Sequence, residues 1–308
     1  LGDELDAIVD ALIKGDEYHS AEAISMDLGV AVLPQFLKDN TDRNRTSPFA
    51  FTGNKFEFRM PGSAVNLSDC NMILNTAVAK SLKDFADACE GLEGAEFEKK
   101  AISYVRQLLT DHKRIIFNGN GYSEEWQEEA ARRGLANHRN TAEALPCFVS
   151  QKSIDLFAEF GILSESEVHS RYEVKLDKYT KLLNIEARVM IRMARRTYLP
   201  AISKYMRDLA ETITSVKAAI ASSDMEEHEK LLSYLVKGTN AVAACTRTLI
   251  AEHDSAEAIE DLQEQAYAYA EKVIPAMDAL RAEIDALECV VENDYWPVPT
   301  YNDILFYN

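Results

Sequence analysis

The second half of this sequence contains very little glycine or proline. Eleven of the twelve glycines lie at or before Gly161, and only Gly238 follows. Between Gly161 and residue 297, proline occurs only at Pro200 and Pro275. Because these two residue types end helices and form turns, a stretch of about 130 residues with so few of them is predicted to be mostly helical.

The chain also lacks long apolar runs and an excess of positive charge. No stretch approaches the roughly 18 uninterrupted apolar residues of a membrane span. Asp and Glu outnumber Lys and Arg 51 to 33, which gives a formal net charge of −18. Such a field repels nucleic-acid phosphates and anionic lipids, so we expect neither nucleic acid nor a membrane as a partner.

Cysteine is scarce and widely spaced. Five cysteines, an odd number, are separated by 19 residues or more, which excludes a disulfide framework and a zinc knuckle. We expect free thiols in a reducing cytoplasm. The chain opens on Leu1 without a signal pattern, so we expect an internal start.

Apolar residues in the second half recur at alternating spacings of three and four. This spacing places them along one side of a helix, as in antiparallel bundles. We predict three or four long helices, with a kink or break at Pro200 and turns near residues 222–224 and 253–255. The three apolar seams are Ile202, Met206, Leu209, Ile213, Val216 and Ile220; Leu231, Leu235, Val242, Cys245 and Leu249; and Val273, Met277, Leu280, Ile284, Leu287 and Val291.

The first half is more mixed. Helical spacing predicts helices over 66–89, 96–113 and 123–133, the last with Ser123 as its N-cap and Trp126 at its third position. Between Phe49 and Met60 the period changes. Phe56, Phe58 and Met60 alternate with charged residues, which predicts a strand that ends at Pro61.

This strand carries the most informative side chains of the chain. Period two places Lys55, Glu57 and Arg59 on one face and apolar residues on the other. A carboxylate between two cations could hold a metal ion while the cations bind anionic substrate groups. The alternative is an ordinary solvated strand face with paired charges.

Three segments resemble one enzyme family. Residues 42–63 read DRNRTSPFAFTGNKFEFRMPGS, residues 111–123 read DHKRIIFNGNGYS, and residues 295–301 read YWPVPTY. An Asn-Arg-Ser/Thr loop followed by a Glu-x-Arg strand resembles the glutamine synthetase superfamily, and the wording of all three segments looks like its type III subgroup.

The resemblance implies a reaction and a set of residue roles. The family forms glutamine from glutamate, ammonia and ATP with Mg²⁺ or Mn²⁺, and it assembles into homo-oligomeric rings. By position, Glu57 matches a metal ligand, and Arg59 matches the arginine that pairs with the carboxylate of the glutamate substrate. Arg45 matches a catalytic arginine that stabilises the transferred phosphoryl group, and Lys55 approximates a cation near the ATP phosphates.

Departures from the family pattern limit what the chain can do. Many relatives have a further arginine at the position of Ala50, and the flap acid of the family cannot be assigned between Asp39 and Asp42. None of the six histidines forms the family's metal-binding His-x-His pair. A hard cation needs about six oxygen ligands, so we expect the chain to hold part of a site and to be inactive alone.

Two basic clusters leave alternatives open. Arg188, Arg192, Arg195 and Arg196 recur at helical spacing, as either a solvated face with inter-helix ion pairs or an anion or partner site. The segment 112–114 is either a second functional spot or a helix C-terminus with favourable cations.

We therefore predict a mainly α fold, a long-helix bundle with a short N-terminal β segment that resembles the end of the synthetase catalytic sheet. The predicted parts are a loop and strand over 1–65, a mixed helical region over 66–161, and the bundle with its tail over 162–308. The alternative function is a non-catalytic helical module for oligomerisation or interaction.

Overall fold

The computed structural model of the chain describes residues 3–18, 25–26, 36–37, 47–51, 55–62 and 65–306. This part of the chain is mainly α-helical with short strands, which confirms the predicted fold class. The helices are α1 (Asp3–Lys14), α2 (Ser68–Ala88), α3 (Gly94–His112), α4 (Glu124–Arg132), α5 (Thr141–Ala144), α6 (Gln151–Glu159), α7 (Glu165–Met193), α8 (Leu199–Ala219), α9 (Glu226–Glu257), α10 (Leu262–Ala268), α11 (Ile274–Glu288) and α12 (Tyr301–Leu305). Of the helices described, none has the length and apolarity needed to cross a bilayer.

The strands form two antiparallel hairpins. β1 (Ser25–Met26) pairs with β2 (Phe36–Leu37), and β3 (Phe49–Phe51) pairs with β4 (Phe56–Phe58). The predicted strand corresponds to β4.

The chain divides into two compact units. The first contains residues 1–138 and 155–162, and the second contains residues 139–154 and 163–308. The division at residues 65 and 161 that the sequence suggests stays a prediction.

The first unit contains the three helices predicted from its spacing. Phe85 of α2 makes edge-to-face contacts with Phe97 and Tyr104 of α3, with ring centroids 6.3 and 5.5 Å apart. α4 begins as predicted, because the side chain of Ser123 accepts a hydrogen bond from the backbone N–H of Trp126. Caps of this kind satisfy N–H groups that the first turn leaves without a helical partner.

The second unit is built on the three predicted seams. α9 packs against both α8 and α11, and the seam residues form one buried cluster. Leu235, Val242 and Leu249 of α9 are completely buried, as are Ile202 of α8 and Leu280 of α11. Of the residues in the three seams, only Ile220, just past the end of α8, is exposed.

The break predicted at Pro200 takes the form of a π-helical turn. Residues Ala194–Tyr198 form this turn between α7 and α8, and the N–H of Leu199 donates to the carbonyl of Ala194, five residues back. Proline has no N–H to donate to the carbonyl four residues earlier, so the regular ladder is interrupted there. Tyr269–Val273 forms a second π-helical turn before Pro275, at the same offset.

The turn predicted at residues 253–255 is wrong, because α9 continues to Glu257. His253 is 4% exposed and packs edge-to-face on Tyr269, and the hydroxyl of Ser255 donates back to the carbonyl of Ala251 within the helix. Tertiary burial and this internal hydrogen bond hold helical backbone at residues that by themselves favour turns.

The C-terminal tail docks on the second unit through aromatic residues. Trp296 is buried and lies 5.2 Å from Tyr198, and Tyr295 packs on Tyr205 at the same centroid distance. The hydroxyl of Tyr295 also donates to the carboxylate of Asp208. One of the three resembling segments therefore has a structural role.

Gly238, the one glycine after Gly161, lies where α9 packs closely against α11. A Cβ at this position would lie 2.7 Å from Cδ2 and 3.2 Å from Cγ of Leu287, a residue that is 1% exposed. Real Cβ atoms do not tolerate the shorter distance, so a side chain here would force Leu287 to move.

We predict that Gly238→Ala lowers the free energy of unfolding by about 1–3 kcal/mol, since an extra methyl overpacks a filled core. Without this clash, alanine would stabilise a helix interior by about 1 kcal/mol over glycine. Urea unfolding followed by circular dichroism gives the difference.

The control is the same change in a Leu287→Ala background. Removing the leucine opens space, so in that background the chain with alanine at position 238 should be at least as stable as the chain with glycine. A stabilising Gly238→Ala in the wild-type chain would contradict the assignment of the glycine to close helix packing.

Candidate functional site

The hairpin of β3 and β4 separates charged from aromatic side chains. Its register pairs Phe49 with Phe58, Ala50 with Glu57 and Phe51 with Phe56. Directly opposed residues of an antiparallel pair share a face, so the four phenylalanines lie on one side and Ala50 and Glu57 on the other. Arg59 extends the pairing, with its N–H donating to the carbonyl of Pro48 at 2.8 Å.

Contacts among the four rings hold the aromatic face. Phe49 stacks on Phe56 with centroids 5.2 Å apart, and it meets Phe58 edge-on at 6.1 Å. Phe51 lies 5.1 Å from Phe56. These cross-strand contacts are the side-chain pairs that stabilise a short hairpin, so they fix which way the charged face points.

The three charged residues predicted for one face do lie together. Nη2 of Arg59 is 2.7 Å from Oε2 of Glu57, and Nε is 3.2 Å from the same oxygen. Nζ of Lys55 is 3.6 Å from the other oxygen, Oε1. The guanidinium therefore holds one carboxylate oxygen closely, while the second oxygen faces a more distant ammonium.

This arrangement keeps Glu57 ionised. The hydrogen bond from Arg59 lowers the pKa of the Glu57 carboxyl below its ordinary value. Desolvation opposes this effect, and the charges of Arg59 and Lys55 lower the pKa further. An ionised carboxylate is the form that a hard divalent cation requires.

Of the four predicted site residues, the structure brings together Lys55, Glu57 and Arg59. Arg45 lies outside the described residues. The site assignment for all four residues stays a prediction.

The sequence pattern was not used to predict the partner strand β3 or the position of Ala50 opposite Glu57. The signal was available, since Phe49 and Phe51 alternate with Ala50, and Gly53-Asn54 is a turn sequence between two alternating runs. Ala50 is 1% exposed and directly opposes Glu57. An arginine at this position would add a third cation beside Glu57.

The residues present fit a divalent cation only in part. Glu57 offers one carboxylate, whereas Mg²⁺ or Mn²⁺ needs about six oxygen ligands. Among described residues, the one group of three potential ligands within 4.8 Å of each other is His253, Asp254 and Glu257, which lies in the second unit and does not include Glu57.

The segment 111–123 lines a groove of about 490 Å³, and its aromatic and basic side chains are held by packing contacts. Phe117 stacks on Trp126 with centroids 4.0 Å apart, and the guanidinium of Arg133 lies over both rings. Arg133 also donates to the carbonyls of Arg114 and Ile116, at 3.2 and 2.8 Å. Lys113 forms an ion pair with Asp10. These contacts favour the structural interpretation of the cations in this segment.

We predict that Arg59→Gln raises the pKa of Glu57 toward its ordinary value, because the strongest hydrogen bond to the carboxylate is lost. The folded-state pKa lies below the unfolded value, so the pair stabilises the fold above the unfolded pKa, and this contribution is lost as the pH falls through the folded pKa. Carbon-detected NMR titration of the Glu57 carboxyl measures the shift.

Lys83→Gln serves as the matched control, since Lys83 pairs with Asp87. Titration of Glu57 should be unaltered by this control. An equal shift in both variants would mean that general charge, not the Arg59 contact, sets the pKa.

Comparison with known proteins finds relatives that align with nearly the whole chain. Residues 100–217 match the family model of the glutamine synthetase C-terminal domain. Over 99% of its length, the chain is 37% identical to "Type-3 glutamine synthetase" of Dictyostelium discoideum. It is 33% identical to "Glutamine synthetase" of Bacteroides fragilis and 34% identical to "Glutamine synthetase" of Butyrivibrio fibrisolvens, again over 99% of the chain.

The alignments cover only part of each relative. The chain spans 42–43% of the length of these curated proteins. All three alignments nevertheless run through both units, from the hairpin to the aromatic tail. Over nearly its whole length the chain is therefore similar to glutamine synthetases, one of them named as a type-3 member, and residues 100–217 match the C-terminal domain of that family.

Proposed function

We propose that this chain supplies part of the active site of an enzyme that joins glutamate and ammonia into glutamine with hydrolysis of ATP. The observation that carries the proposal is the charged face of the hairpin, where Arg59 and Lys55 flank an ionised Glu57. Such a face can bring a metal-ligating carboxylate and two anion-binding cations to one place.

The proposed roles follow from the chemistry of each side chain. Glu57 would be one ligand of Mg²⁺ or Mn²⁺, with Oε1 the oxygen that the Arg59 guanidinium leaves open. When bound, the cation supplies charge that stabilises a transferred phosphoryl group. Arg59 already holds a carboxylate through two nitrogens, which is the contact that the glutamate substrate would need.

Lys55 and Arg45 are the residues proposed to contact phosphate groups. Lys55 is a point charge suited to the phosphates of ATP, and its exposed side chain can reach them. Arg45 is proposed as the catalytic arginine, because a guanidinium aimed at the equatorial phosphoryl oxygens stabilises charge in the transition state.

The chain alone is proposed to be an incomplete catalyst. Glu57 provides one of about six oxygen ligands, and the chain spans less than half the length of its matched relatives. The proposal also includes a homo-oligomeric ring and a cytoplasmic location, both taken from the resemblance to the family.

A second candidate function is a helical module for assembly. Several large apolar side chains of α2 and α3 are exposed, namely Ile73, Val78, Leu82, Phe97, Ile102, Val105 and Leu108. Apolar surface of this extent favours contact with further protein. The two functions are compatible in one protein, and they differ in whether the hairpin charges matter.

We predict that the purified 308-residue chain, given Mg²⁺, ATP, glutamate and ammonia, releases no phosphate above a blank without protein. The reason is the incomplete metal site. Turnover well above the blank would contradict the proposed incompleteness, and a full-length relative assayed in parallel is the positive control.

In the whole protein, we predict that Glu57→Ala lowers kcat about 100-fold or more, the equivalent of at least ~2.7 kcal/mol in transition-state stabilisation. Glutamine formation is measured together with circular dichroism, which should not change. Glu98→Ala, which removes an exposed carboxylate of α3, is the matched control.

Arg59→Lys provides a second, more specific readout. It keeps the charge but loses the two-nitrogen contact, so the KM for glutamate should rise while the KM for ATP changes little. Full activity in Glu57→Ala would rule out the metal role and leave the assembly module as the better account.

A further inference from the structure

A groove on the second unit concentrates positive charge on a strongly acidic chain. Arg188, Arg192, Arg195 and Arg196 all line it, on one face of α7 and the π-helical turn that follows. Its volume is about 420 Å³, within the usual range for small-ligand sites. The chain as a whole carries a formal charge of −18, so four clustered arginines are a local reversal of its field.

Backbone geometry helps to place these arginines. The π-helical turn at Ala194–Tyr198 carries Arg195 and Arg196, and Pro200 just beyond interrupts the regular ladder. A π-helical turn is wider than an α-helical one and recurs at functional sites. Arg188, Arg192 and Arg196 are also spaced four apart, an arrangement in which like charges repel each other.

Three of the four arginines are not neutralised within the described part of the chain. Arg188 lies 4.0 Å from Glu257. For Arg192, Arg195 and Arg196, which are exposed, no carboxylate of the described residues lies within ion-pair distance. Repulsion among these guanidinium groups would be relieved by a bound anion.

The carboxylates at the groove are engaged in a polar network of their own. The amide nitrogen of Asn184 donates to Oε1 of Glu257 at 3.1 Å, and the amide oxygen of Asn184 lies 3.4 Å from Nε2 of His253. Nδ1 of His253 is in turn 3.3 Å from Oδ1 of Asp254. Tyr269, itself buried, packs edge-to-face on His253.

The network and the arginines together determine whether the groove suits a cation or an anion. His253, Asp254 and Glu257 could by position hold a cation. Both ring nitrogens of His253 and one oxygen of each carboxylate already have partners, however, and four guanidinium groups line the same groove. The formal charge of the groove, four arginines against two carboxylates, is +2. A divalent cation would be repelled, whereas an anion would be attracted.

We propose that this groove binds a small anion that carries more than one phosphoryl group, of the pyrophosphate or nucleoside polyphosphate class. Guanidinium groups match phosphate oxygens in pairs of parallel hydrogen bonds. The arginines extend over nine residues, from Arg188 to Arg196, or roughly 12 Å of helix. This length suits a chain of phosphoryl groups better than a single phosphate. The residues of the groove belong to the second unit and do not include the hairpin residues, so this proposal does not rest on the proposed catalytic function.

The test is isothermal titration of the purified chain with sodium pyrophosphate. We expect one site per chain, with an affinity that falls as the salt concentration rises. The double variant Arg192→Gln, Arg196→Gln should bind at least about tenfold more weakly, because two charge-assisted contacts are lost. Arg192→Lys, Arg196→Lys keeps the charge and should bind with intermediate affinity.

Two control variants separate binding in the groove from general charge attraction and from binding at the hairpin. Arg171→Gln with Lys204→Gln removes two exposed cations of the second unit that do not line the groove, and affinity should not change. Lys55→Gln with Arg59→Gln disables the hairpin face, and affinity should again not change. Circular dichroism and thermal unfolding confirm that each variant is folded.

Several results would overturn the proposal. Absence of pyrophosphate binding, or equal loss in the groove variant and the first control, would mean that no specific anion site exists. Binding lost only in the hairpin variant would assign pyrophosphate to that face. A groove variant that alters the oligomeric state in gel filtration, with pyrophosphate affinity unchanged, would make this surface a contact between protein chains.

Discussion

Close packing of α9 between α8 and α11 is the constraint on which the second unit depends. Leu235, Val242 and Leu249 are all completely buried, and each must fit between neighbours that are themselves fixed. Protein interiors pack at crystal-like density, so helices at this distance have little freedom to shift. Gly238 belongs to the same constraint, since Leu287 fills the space that a side chain would need.

The two π-helical turns are a consequence of prolines placed within otherwise continuous helices. Each turn ends two residues before its proline, at Tyr198 and at Val273. Both turns lie within the packed cluster: Ala194 and Val273 are completely buried, and Tyr198 packs on the buried Trp296. The first turn carries arginines toward solvent while its apolar side joins the core. A backbone irregularity thus connects core packing with the chemistry of a surface groove.

In the hairpin of the first unit, too, the packing of apolar side chains determines where the charged groups lie. The four phenylalanines pack against each other on one face of the hairpin. Glu57 and the neighbouring cations, Lys55 and Arg59, therefore lie on the opposite face. The Glu57 carboxylate is then held ionised by Arg59. The proposed catalytic chemistry depends on that orientation, because a one-residue slip in register would exchange the two faces.

The sequence by itself determined whatever depends on local spacing. The three apolar seams, the helices at α2, α3 and α4, the Ser123 cap and the strand at β4 all follow from period and turn chemistry, which act over a few residues. The charged alternation of Lys55, Glu57 and Arg59 follows from the same rule.

Only the tertiary structure decided what depends on distant partners. Burial of His253 against Tyr269 carried α9 through a predicted turn, and core packing converted the break at Pro200 into a π-helical turn. Pairing with β3 set Ala50 opposite Glu57, and the network of Asn184, His253 and Glu257 left three arginines without a counterion among the residues that the structure describes. These outcomes depend on contacts between residues far apart in the chain, and no local pattern encodes such contacts.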